Sequence, residues 1–595
     1  MNTKINIVII DTGISEEHLN DNVKGISLVG GVESYDIIDR IGHGTAIYNI
    51  IKKEIPNANF FIIKIRNSIN DEVSQVDLEN ALEYIINNIN ADVVNISQGL
   101  NCINNDSKLY DLCEHLKEMN TIIVSAFDND GAIAYPAAFK NVIGVTNSTN
   151  CLRNIDFEFI SNNEVNIAAN GNIQRVIWLN GKHIFITGDS FACAHVSTHI
   201  CKLIENKKTT FASVMKHFES NYSKANEKKI EKPIWLNNIY KFKPNNVALF
   251  PYCKEISSLL RFQHLLPFNI ADVYCSRHSF YVGSSVRNIM DNYTNDKDFI
   301  IKSIDKIDWD SIDMLVIGHL DKLSSAEQNS QTKLIDEALK KEKKIFSLDV
   351  LFDAKYNYKN IYFPYVTKKA LPNYNLGKLY KIPVPVLAVL GTSPNQGKFT
   401  LQLTLRDKMQ RLGYDIGQIS TEPTGELFGM DLCFPMGYNS STYIHGDDII
   451  RFINYKMNEM ALKQKELIIA GSQSGTLTYN FSNIREYNID GYSFMMAVNP
   501  DAVILVVNPF DDITYIKNTV KFIESSSNCD VIAIVVFPLD YVNWEISFMK
   551  APISDKRYQE LKSALEKATG KTVYLLGTEH DENLIVKKII EYFSE

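Results

Sequence analysis

Three short segments near the start of the chain supply an aspartate, a histidine and a serine. Asp11 lies in IDTG, His43 in GHGT and Ser190 in GDSFACAH. In a nucleophilic centre for acyl transfer, an aspartate orients a histidine and the histidine takes the proton of a serine hydroxyl. The three residue types therefore predict a serine hydrolase reaction.

The local sequence around each of these residues fits its role. Asp11 ends the apolar run INIVII, which is typical of a buried strand, and sites of α/β folds form where such strands end. His43 stands between two glycines and before a threonine, so a helix can begin there. Ser190 begins an apolar-rich helical stretch whose free N–H groups can donate to an oxyanion. Asn129, which follows the run TIIVSAF, is the candidate for the second oxyanion donor.

On these segments the chain resembles the subtilisin-like serine peptidases (family S8), from about residue 4 to about residue 225. The segments FFIIKIRN, VVNISQGL, FDNDG and YPAAFKNVIGV are similar to landmarks of that family and follow its order. The resemblance implies that Asn129 is the oxyanion asparagine. It also implies that Ser97, Gln98 and Gly99 form the edge strand against which a substrate peptide pairs.

Two positions of the serine motif depart from the family pattern G-T-S-x-A-x-P. Asp189 replaces the threonine and Ala194 replaces the proline. An acid beside the nucleophile can raise the pKa of His43 by its charge, or it can point to solvent. Asp11 follows the first residue so closely that we expect no inhibitory pro-segment. A peptidase fold retained only for binding stays open as an alternative.

Composition sets the context for this chemistry. A chain of 595 residues predicts two to four domains, and a net charge of −9 gives no reason to expect nucleic-acid binding. No apolar run approaches the roughly 20 residues of a membrane span, and no signal segment precedes the first strand. Nine cysteines without a CxxC pair favour reduced thiols over disulfides or a zinc site. We therefore expect a cytoplasmic protein that binds neither nucleic acid nor membranes.

Beyond the first 230 residues the pattern changes to alternating short apolar strands and amphipathic helices. VALFPY, IADVYCS and DMLVIGHL are such strands, and their alternation with helices predicts a parallel sheet of the Rossmann or flavodoxin type. It contains no G-x-G-x-x-G, so we expect a recognition or regulatory domain. The predicted α/β architecture has a subtilisin-like peptidase domain at 1–230, a linker at 231–245, a Rossmann-like domain at 246–375 and a P-loop NTPase-like domain at 376–595.

A phosphate-binding loop is predicted directly after the strand PVPVLAVL. A strand, a glycine loop, a lysine and a helix together allow backbone N–H groups and a cation to face a phosphate. Five residues rather than four separate the two glycines, and Phe399 stands where serine or threonine is usual. The candidate residues for binding ATP or GTP are Gly391, Thr392, Gly397, Lys398 and Thr400.

A second resemblance covers this region. The pieces GTSPNQGKFT, TEPTGELFG and NPDAVILVVNP resemble a family of P-loop proteins of poorly assigned function that carry a Rossmann-like domain before the P-loop. The strand KELIIAGSQSG lacks the acid expected at its end. Magnesium would then need Thr400 with Glu422 or Asp431, or the domain binds nucleotide without hydrolysing it. The region from about 246 to 595 also resembles peptide-maturation proteins found beside ribosomally made, modified peptides.

The two resemblances together imply a cytoplasmic serine endopeptidase that cleaves the leader from a modified precursor peptide. The C-terminal half would recognise the peptide or regulate cleavage. The expected partners are the precursor peptide and modifying enzymes of the same pathway, and the peptidase itself needs no cofactor. Two alternatives stay open: a nucleotide-dependent peptide-modifying enzyme that uses the subtilisin fold as a binding platform, and a non-catalytic maturation scaffold.

Overall fold

The computed structural model divides the chain into two units. Unit 1 comprises Met1–Glu231 and Pro372–Pro383, and unit 2 comprises Lys232–Leu371 and Val384–Glu595. The structure describes residues 4–594 except 21, 69–70, 72, 104–105, 129–130, 162, 207–208, 222–242, 278, 291–292, 294, 320–324, 352–359, 437–439, 480–481, 483–486 and 544–546. Most of the expected linker at 231–245 lies outside the described residues.

Unit 1 is built on short apolar strands and the helices that connect them. Its strands are β1 (Asn6–Asp11), β2 (Val23–Ser27), β3 (Asn59–Lys64), β4 (Val93–Ile96), β5 (Ile122–Ala126), β6 (Ile143–Asn147), β7 (Phe157–Phe159), β8 (Ile167–Ala169), β9 (Gln174–Ile177) and β10 (His183–Ile186). Its helices are α1 (His43–Glu54), α2 (Gln75–Asn88), α3 (Asp106–Glu118), α4 (Asp189–Asn206) and α5 (Phe211–Asn221). In the described part of unit 1, eight strands form one sheet in the order β2-β3-β1-β4-β5-β6-β8-β7.

Both faces of this sheet are covered by helices, which explains why its strands are apolar on both sides. Ile7 and Ile9 of β1 pack in one core with residues of α1, α4 and α5. Val8 and Ile10 of the same strand pack in a second core with residues of α2 and α3. Successive side chains of a strand point to opposite faces, so one run such as INIVII contributes to both cores.

The parallel pairing of the central strands determines where the polar residues meet. β1 pairs with β4, and β4 pairs with β5, in each case in parallel. Asp11 is the last residue of β1, Ser97 directly follows β4, and Phe127 directly follows β5. Because the carboxyl ends of parallel strands lie at one edge of the sheet, these residues come together there.

The segment Pro372–Pro383 is separated in sequence from the rest of unit 1, and it lies against the strand-following loop at residue 132. Leu379 forms a bridge with Ala132, and its carbonyl accepts the N–H of Ile133 at 2.8 Å. The boundary expected between residues 375 and 376 falls inside this segment. These backbone hydrogen bonds join the segment to unit 1.

Unit 2 contains two parallel sheets. The first is formed from β11 (Asn246–Phe250), β12 (Asn269–Cys275), β13 (Lys302–Ser303), β14 (Met314–Ile317), β15 (Lys344–Ser347) and β16 (Ile361–Tyr362), with α6 (Lys254–Arg261), α7 (Val286–Ile289) and α8 (Ser325–Lys340) between them. Over the described residues its order is β13-β12-β11-β14-β15-β16. This is the Rossmann order 3-2-1-4-5-6.

The second sheet of unit 2 begins with the strand that precedes the predicted phosphate loop. Its strands are β17 (Val386–Gly391), β18 (Ile416–Ser420), β19 (Leu432–Cys433), β20 (Leu467–Gly471), β21 (Ala502–Val507), β22 (Asp530–Val536) and β25 (Val573–Leu575), and a hairpin is formed by β23 (Leu539–Asn543) and β24 (Ser547–Pro552). The helices are α9 (Lys398–Arg411), α10 (Asp447–Leu462), α11 (Ile489–Val498), α12 (Ile513–Ser527), α13 (Asp555–Thr569) and α14 (Glu579–Ser594). The predicted mixed α/β fold class is confirmed. No helix among the described residues is long and apolar enough to cross a membrane.

We predict that Gly44→Ala destabilises unit 1, because an added Cβ would lie 2.3 Å from the carbonyl oxygen of Gly13. The backbone at Gly13 cannot move away without loss of stability. Overpacking of this kind lowers the free energy of unfolding by about 1–3 kcal/mol. Calorimetry of the full chain should show one transition at lower temperature. Gly417→Ala is the matched control, since its Cβ would meet the flexible end of Met460 at 3.3 Å. Equal loss in both variants would contradict the packing argument.

Candidate active site and phosphate-binding loop

The structure brings Asp11 and His43 into direct contact. His43 Nδ1 lies 2.8 Å from Asp11 Oδ1, which also accepts the N–H of Thr12 at 2.7 Å. Burial alone would lower the pKa of His43, but the charge and hydrogen bond of Asp11 outweigh it and raise that pKa above its usual value. The contact holds a proton on Nδ1, so that Nε2 is the basic nitrogen.

A second buried carboxylate, Asp39, fixes the turn that carries His43. Asp39 accepts five hydrogen bonds of 2.7–2.9 Å, from the Thr12 hydroxyl, from the N–H groups of Ile41, Gly42 and Thr45, and from the Thr45 hydroxyl. These donors outweigh the effect of burial and lower the pKa of Asp39. Sequence reasoning missed this residue. Its position four residues before His43, at the start of a helix, was the available signal.

Ser190 is the second residue of α4, where backbone N–H groups lack partners within the helix. Its hydroxyl donates to the carbonyl of Ser97 at 2.9 Å, rather than to the imidazole. The ring of the next residue, Phe191, lies 5.6 Å from the ring of His43, so the helix start and the histidine are neighbours. Catalytic hydrogen bonds are often unformed without substrate and form in the complex.

The buried side chain of Asn95 ties α4 to the end of β4. Its Oδ1 accepts the Ser197 hydroxyl at 2.9 Å and the Cys193 thiol at 3.4 Å, and its Nδ2 donates to Ser97 Oγ at 2.7 Å. Burial strongly raises the pKa of Cys193, which keeps its thiol protonated. Asn95 was not identified from the sequence, because an asparagine inside an apolar strand has no signature of its own.

The expected substrate edge lies directly after β4. Ser97 is buried, Gln98 is half-buried and Gly99 is exposed. The next residue, Leu100, exchanges both backbone hydrogen bonds with Tyr135 at 2.8 Å, which holds this stretch extended. Asn129, the expected oxyanion asparagine, lies outside the described residues.

Asp189, the departure from the family pattern, points into the protein. Its Oδ1 accepts the N–H of Asn147 and its Oδ2 accepts the hydroxyl of Thr146, both at 2.8 Å. Burial raises the pKa of Asp189, against the opposing effect of these donors and of Lys378. The side chain is 8 % exposed, so the expectation that it could point to solvent is not met.

The predicted phosphate loop joins β17 to α9 in unit 2. Gly397 precedes the helix with a φ of +77°, a left-handed conformation that favours glycine. Thr392 donates to Asp511, whose Oδ2 also accepts the N–H of Asn508 at 2.8 Å. Gln396 closes the loop by accepting the N–H of Ser393 at 3.0 Å and donating to Thr392.

Lys398 is buried, and its ammonium donates to the carbonyl of Ser393 at 2.7 Å. Burial and the neighbouring charge of Lys254 lower its pKa to about 7, against the opposing charges of Glu422 and Asp511. A dehydrated ammonium at the start of a helix is suited to an anion, because a phosphate would supply the charge that its surroundings lack. The residues present therefore fit a phosphate group.

A cavity of about 170 Å³ opens beside this lysine. Thr400 and Glu422 both line it, and Gln473 donates to the Glu422 carboxylate at 2.6 Å. Asp431 does not line this cavity. It is exposed, and its carboxylate accepts the N–H of Gln418 at 2.9 Å. Of the two acids named from the sequence, Glu422 alone lies on the cavity wall. Across the described residues no group of three metal-ligating acids, histidines or cysteines is found.

Family models match two separate parts of the chain. The subtilase family (Peptidase S8) matches residues 2–232, and the P-loop domain of DUF1611, a domain of unknown function, matches residues 374–570. Curated proteins include no match to this chain.

Solved structures that are similar to this chain share little sequence with it. A DUF1611 family protein from Anabaena variabilis is 12% identical, covers 58% of this chain and 99% of its own, and has a TM-score of 0.42. A structure described as an S41 psychrophilic protease is 20% identical, covers 37% of this chain and 83% of its own, and has a TM-score of 0.32. By these family models, the first part of the chain is similar to subtilases and the later part to DUF1611 P-loop domains.

Proposed function

We propose that this chain is a cytoplasmic serine endopeptidase that cleaves the leader from a precursor peptide, during maturation of a ribosomally made modified peptide. The observation that carries the peptidase activity is the 2.8 Å contact between His43 and the buried Asp11, beside the helix start that holds Ser190. The union of a subtilase domain with a P-loop domain in one chain supports a restricted processing role. All nine cysteines are free thiols, which supports a reducing compartment.

In the proposed mechanism, Ser190 Oγ turns from the Ser97 carbonyl to His43 Nε2 and attacks the scissile carbonyl. His43 takes the hydroxyl proton and then gives it to the leaving amine, which departs as the acyl-enzyme forms. Asp11 stabilises the imidazolium. The N–H of Ser190 and the amide of Asn129 donate to the oxyanion, and water then hydrolyses the acyl-enzyme by the same proton transfers.

The proposed substrate is an extended peptide that pairs with the edge formed by Ser97, Gln98 and Gly99. Backbone pairing of this kind gives affinity that depends little on side chains. Gly99 is exposed, so a peptide backbone can approach it. A leader peptide without tertiary structure would meet this requirement.

For unit 2 we propose that the loop from Gly391 to Lys398 binds ATP or GTP and thereby recognises the precursor or regulates cleavage. Lys398 would pair with the phosphates, and the backbone of Thr392 and Gly397 would surround them. Thr400 and Glu422 are the candidate ligands for magnesium, which would neutralise phosphate charge when bound.

We predict that Ser190→Ala abolishes cleavage of precursor peptides encoded near the gene, because loss of a triad serine costs about 10⁶ in turnover. Mass spectrometry of the products checks this. Ser220→Ala, on an exposed part of α5, is the matched control and should cleave as wild type does. Cleavage by the Ser190→Ala variant at the wild-type rate would contradict the proposed serine peptidase activity.

The rate at which a fluorophosphonate probe labels Ser190 should rise with pH. The base must be neutral, and Asp11 raises the pKa of His43 above its ordinary value of about 6.5. We therefore expect half-maximal labelling above pH 6.5, with full loss in acid. A rate that is independent of pH, or a midpoint well below 6.5, would show that His43 is not the base in this environment.

Lys398→Met should abolish binding of ATP and GTP in equilibrium dialysis, while the exposed Lys463→Met should leave it unchanged. Because burial and the charge of Lys254 lower the pKa of Lys398 to about 7, its neutral amine must take up a proton to pair with phosphate at higher pH. Affinity should then fall by up to about tenfold per pH unit between 7.5 and 9. Equal binding by the Lys398→Met and Lys463→Met variants would refute the phosphate assignment.

A further inference from the structure

The segment Pro372–Pro383 contributes a mostly buried cation to unit 1. Lys378 is 10 % exposed, and its neighbour Leu379 joins the backbone at Ala132 and Ile133. Tyr380 packs beside the small core that includes Phe127 and donates to the carboxylate of Glu164 at 3.1 Å. Contacts of the two residues that follow Lys378 therefore hold this part of the segment in place.

The ammonium of Lys378 reaches two different elements. Nζ lies 3.4 Å from Asp189 Oδ2 and 3.4 Å from the carbonyl oxygen of Asp128. It also lies 5.9 Å from the centre of the Phe127 ring, on the negative face that attracts cations. One cation thus connects the loop after β5 with the first residue of α4.

Both contacts are adjacent to the proposed oxyanion donors. Asp189 directly precedes Ser190, whose N–H is one donor, and Asp128 directly precedes Asn129, whose amide is the other. Side chains that hold an oxyanion must be fixed before the reaction, because displacement by about 1 Å can cost 10²-fold in rate.

We propose that Lys378 is a positioning residue of the oxyanion site, which holds the loop after β5 and the start of α4 together and neutralises Asp189. This inference rests on the proposed serine peptidase activity. A second carboxylate within the same chain segment as the nucleophile would repel the developing oxyanion, and a cation in contact with it cancels that repulsion. The threonine of the family pattern at position 189 would need no such partner, so the contact with Lys378 accompanies the departure at that position.

The contact geometry supports charge compensation rather than simple packing. Asp189 is 8 % exposed and keeps two neutral donors from Thr146 and Asn147, which leave its negative charge in place. Removing one partner of a buried pair is costly because it leaves the other charge uncompensated. Removing both charges together should restore much of the reaction rate at Ser190 that is lost when Lys378 alone is replaced.

The test is a double-mutant cycle in the full chain, measured as the rate at which a fluorophosphonate probe labels Ser190. Lys378→Met should slow labelling about 10- to 100-fold, in the range expected when an oxyanion donor is misplaced or opposed. Asp189→Asn keeps acceptor and donor groups for Asn147 and Thr146. The double variant should label within about threefold of wild type, so the two losses are not additive.

Two controls separate charge from folding. Lys381→Met changes an exposed lysine of the same segment and should label as wild type does. Lys378→Arg keeps the cation and should retain most of the rate. Melting temperatures of all variants show whether a slowly labelled variant is folded. If Lys378→Met is unstable, the labelling rate of the double variant tests the proposal.

The outcomes distinguish failure of the positioning role of Lys378 from failure of the proposed peptidase activity. If wild type labels at Ser190 and Lys378→Met labels equally fast, the positioning role is overturned while the peptidase stands. If Lys378→Met is slow and the double variant is no faster, the lysine acts by packing and the charge argument fails. If wild type does not label at Ser190, the peptidase proposal fails and the positioning role fails with it.

Discussion

The fully buried carboxylate of Asp11 is the constraint on which unit 1 depends. A buried charge needs hydrogen-bond donors, and Asp11 Oδ1 accepts the Thr12 N–H and contacts His43 Nδ1, whereas its buried Oδ2 has no hydrogen-bond partner among the described residues. These donors require that the chain turn immediately after β1 and that α1 begin at His43. Asp39 meets that second requirement with five hydrogen bonds to the turn. The sheet order then decides which other residues can reach the same edge.

Local pattern was sufficient to predict the mixed α/β fold class and apolar strands in it. Asp11, His43 and Lys398 each stand at a strand end or a helix start that the apolar runs mark clearly. Asn95 and Lys378 could not be predicted in this way. Their roles depend on partners about 100 and 190 residues distant, and neither residue lies in a stretch whose composition indicates those partners. The backbone pairing of Leu379 with Ile133 likewise produces no pattern in the local hydrophobicity.

Lys378 and Lys398 lie in different electrostatic surroundings. Lys378 faces a carboxylate and an aromatic ring, which supply its counter-charge within the fold. Lys398 faces a backbone carbonyl and a second lysine nearby, and its pKa falls accordingly. A lysine whose charge is balanced by neighbouring groups stabilises the fold. A buried lysine whose charge is only partly balanced is suited to bind an anionic ligand. The surroundings of each lysine, rather than the residue type, therefore distinguish a structural role from suitability for a ligand.

The membership of Pro372–Pro383 in unit 1 has a consequence for biosynthesis. A ribosome releases the chain from its amino end, so Asp11, His43 and Ser190 are all made long before Lys378. Unit 1 lacks one of its parts until residue 383 has left the ribosome. The nascent chain therefore contains Asp11, His43 and Ser190 before Lys378 is available to contact Asp189, and the order of synthesis delays completion of unit 1.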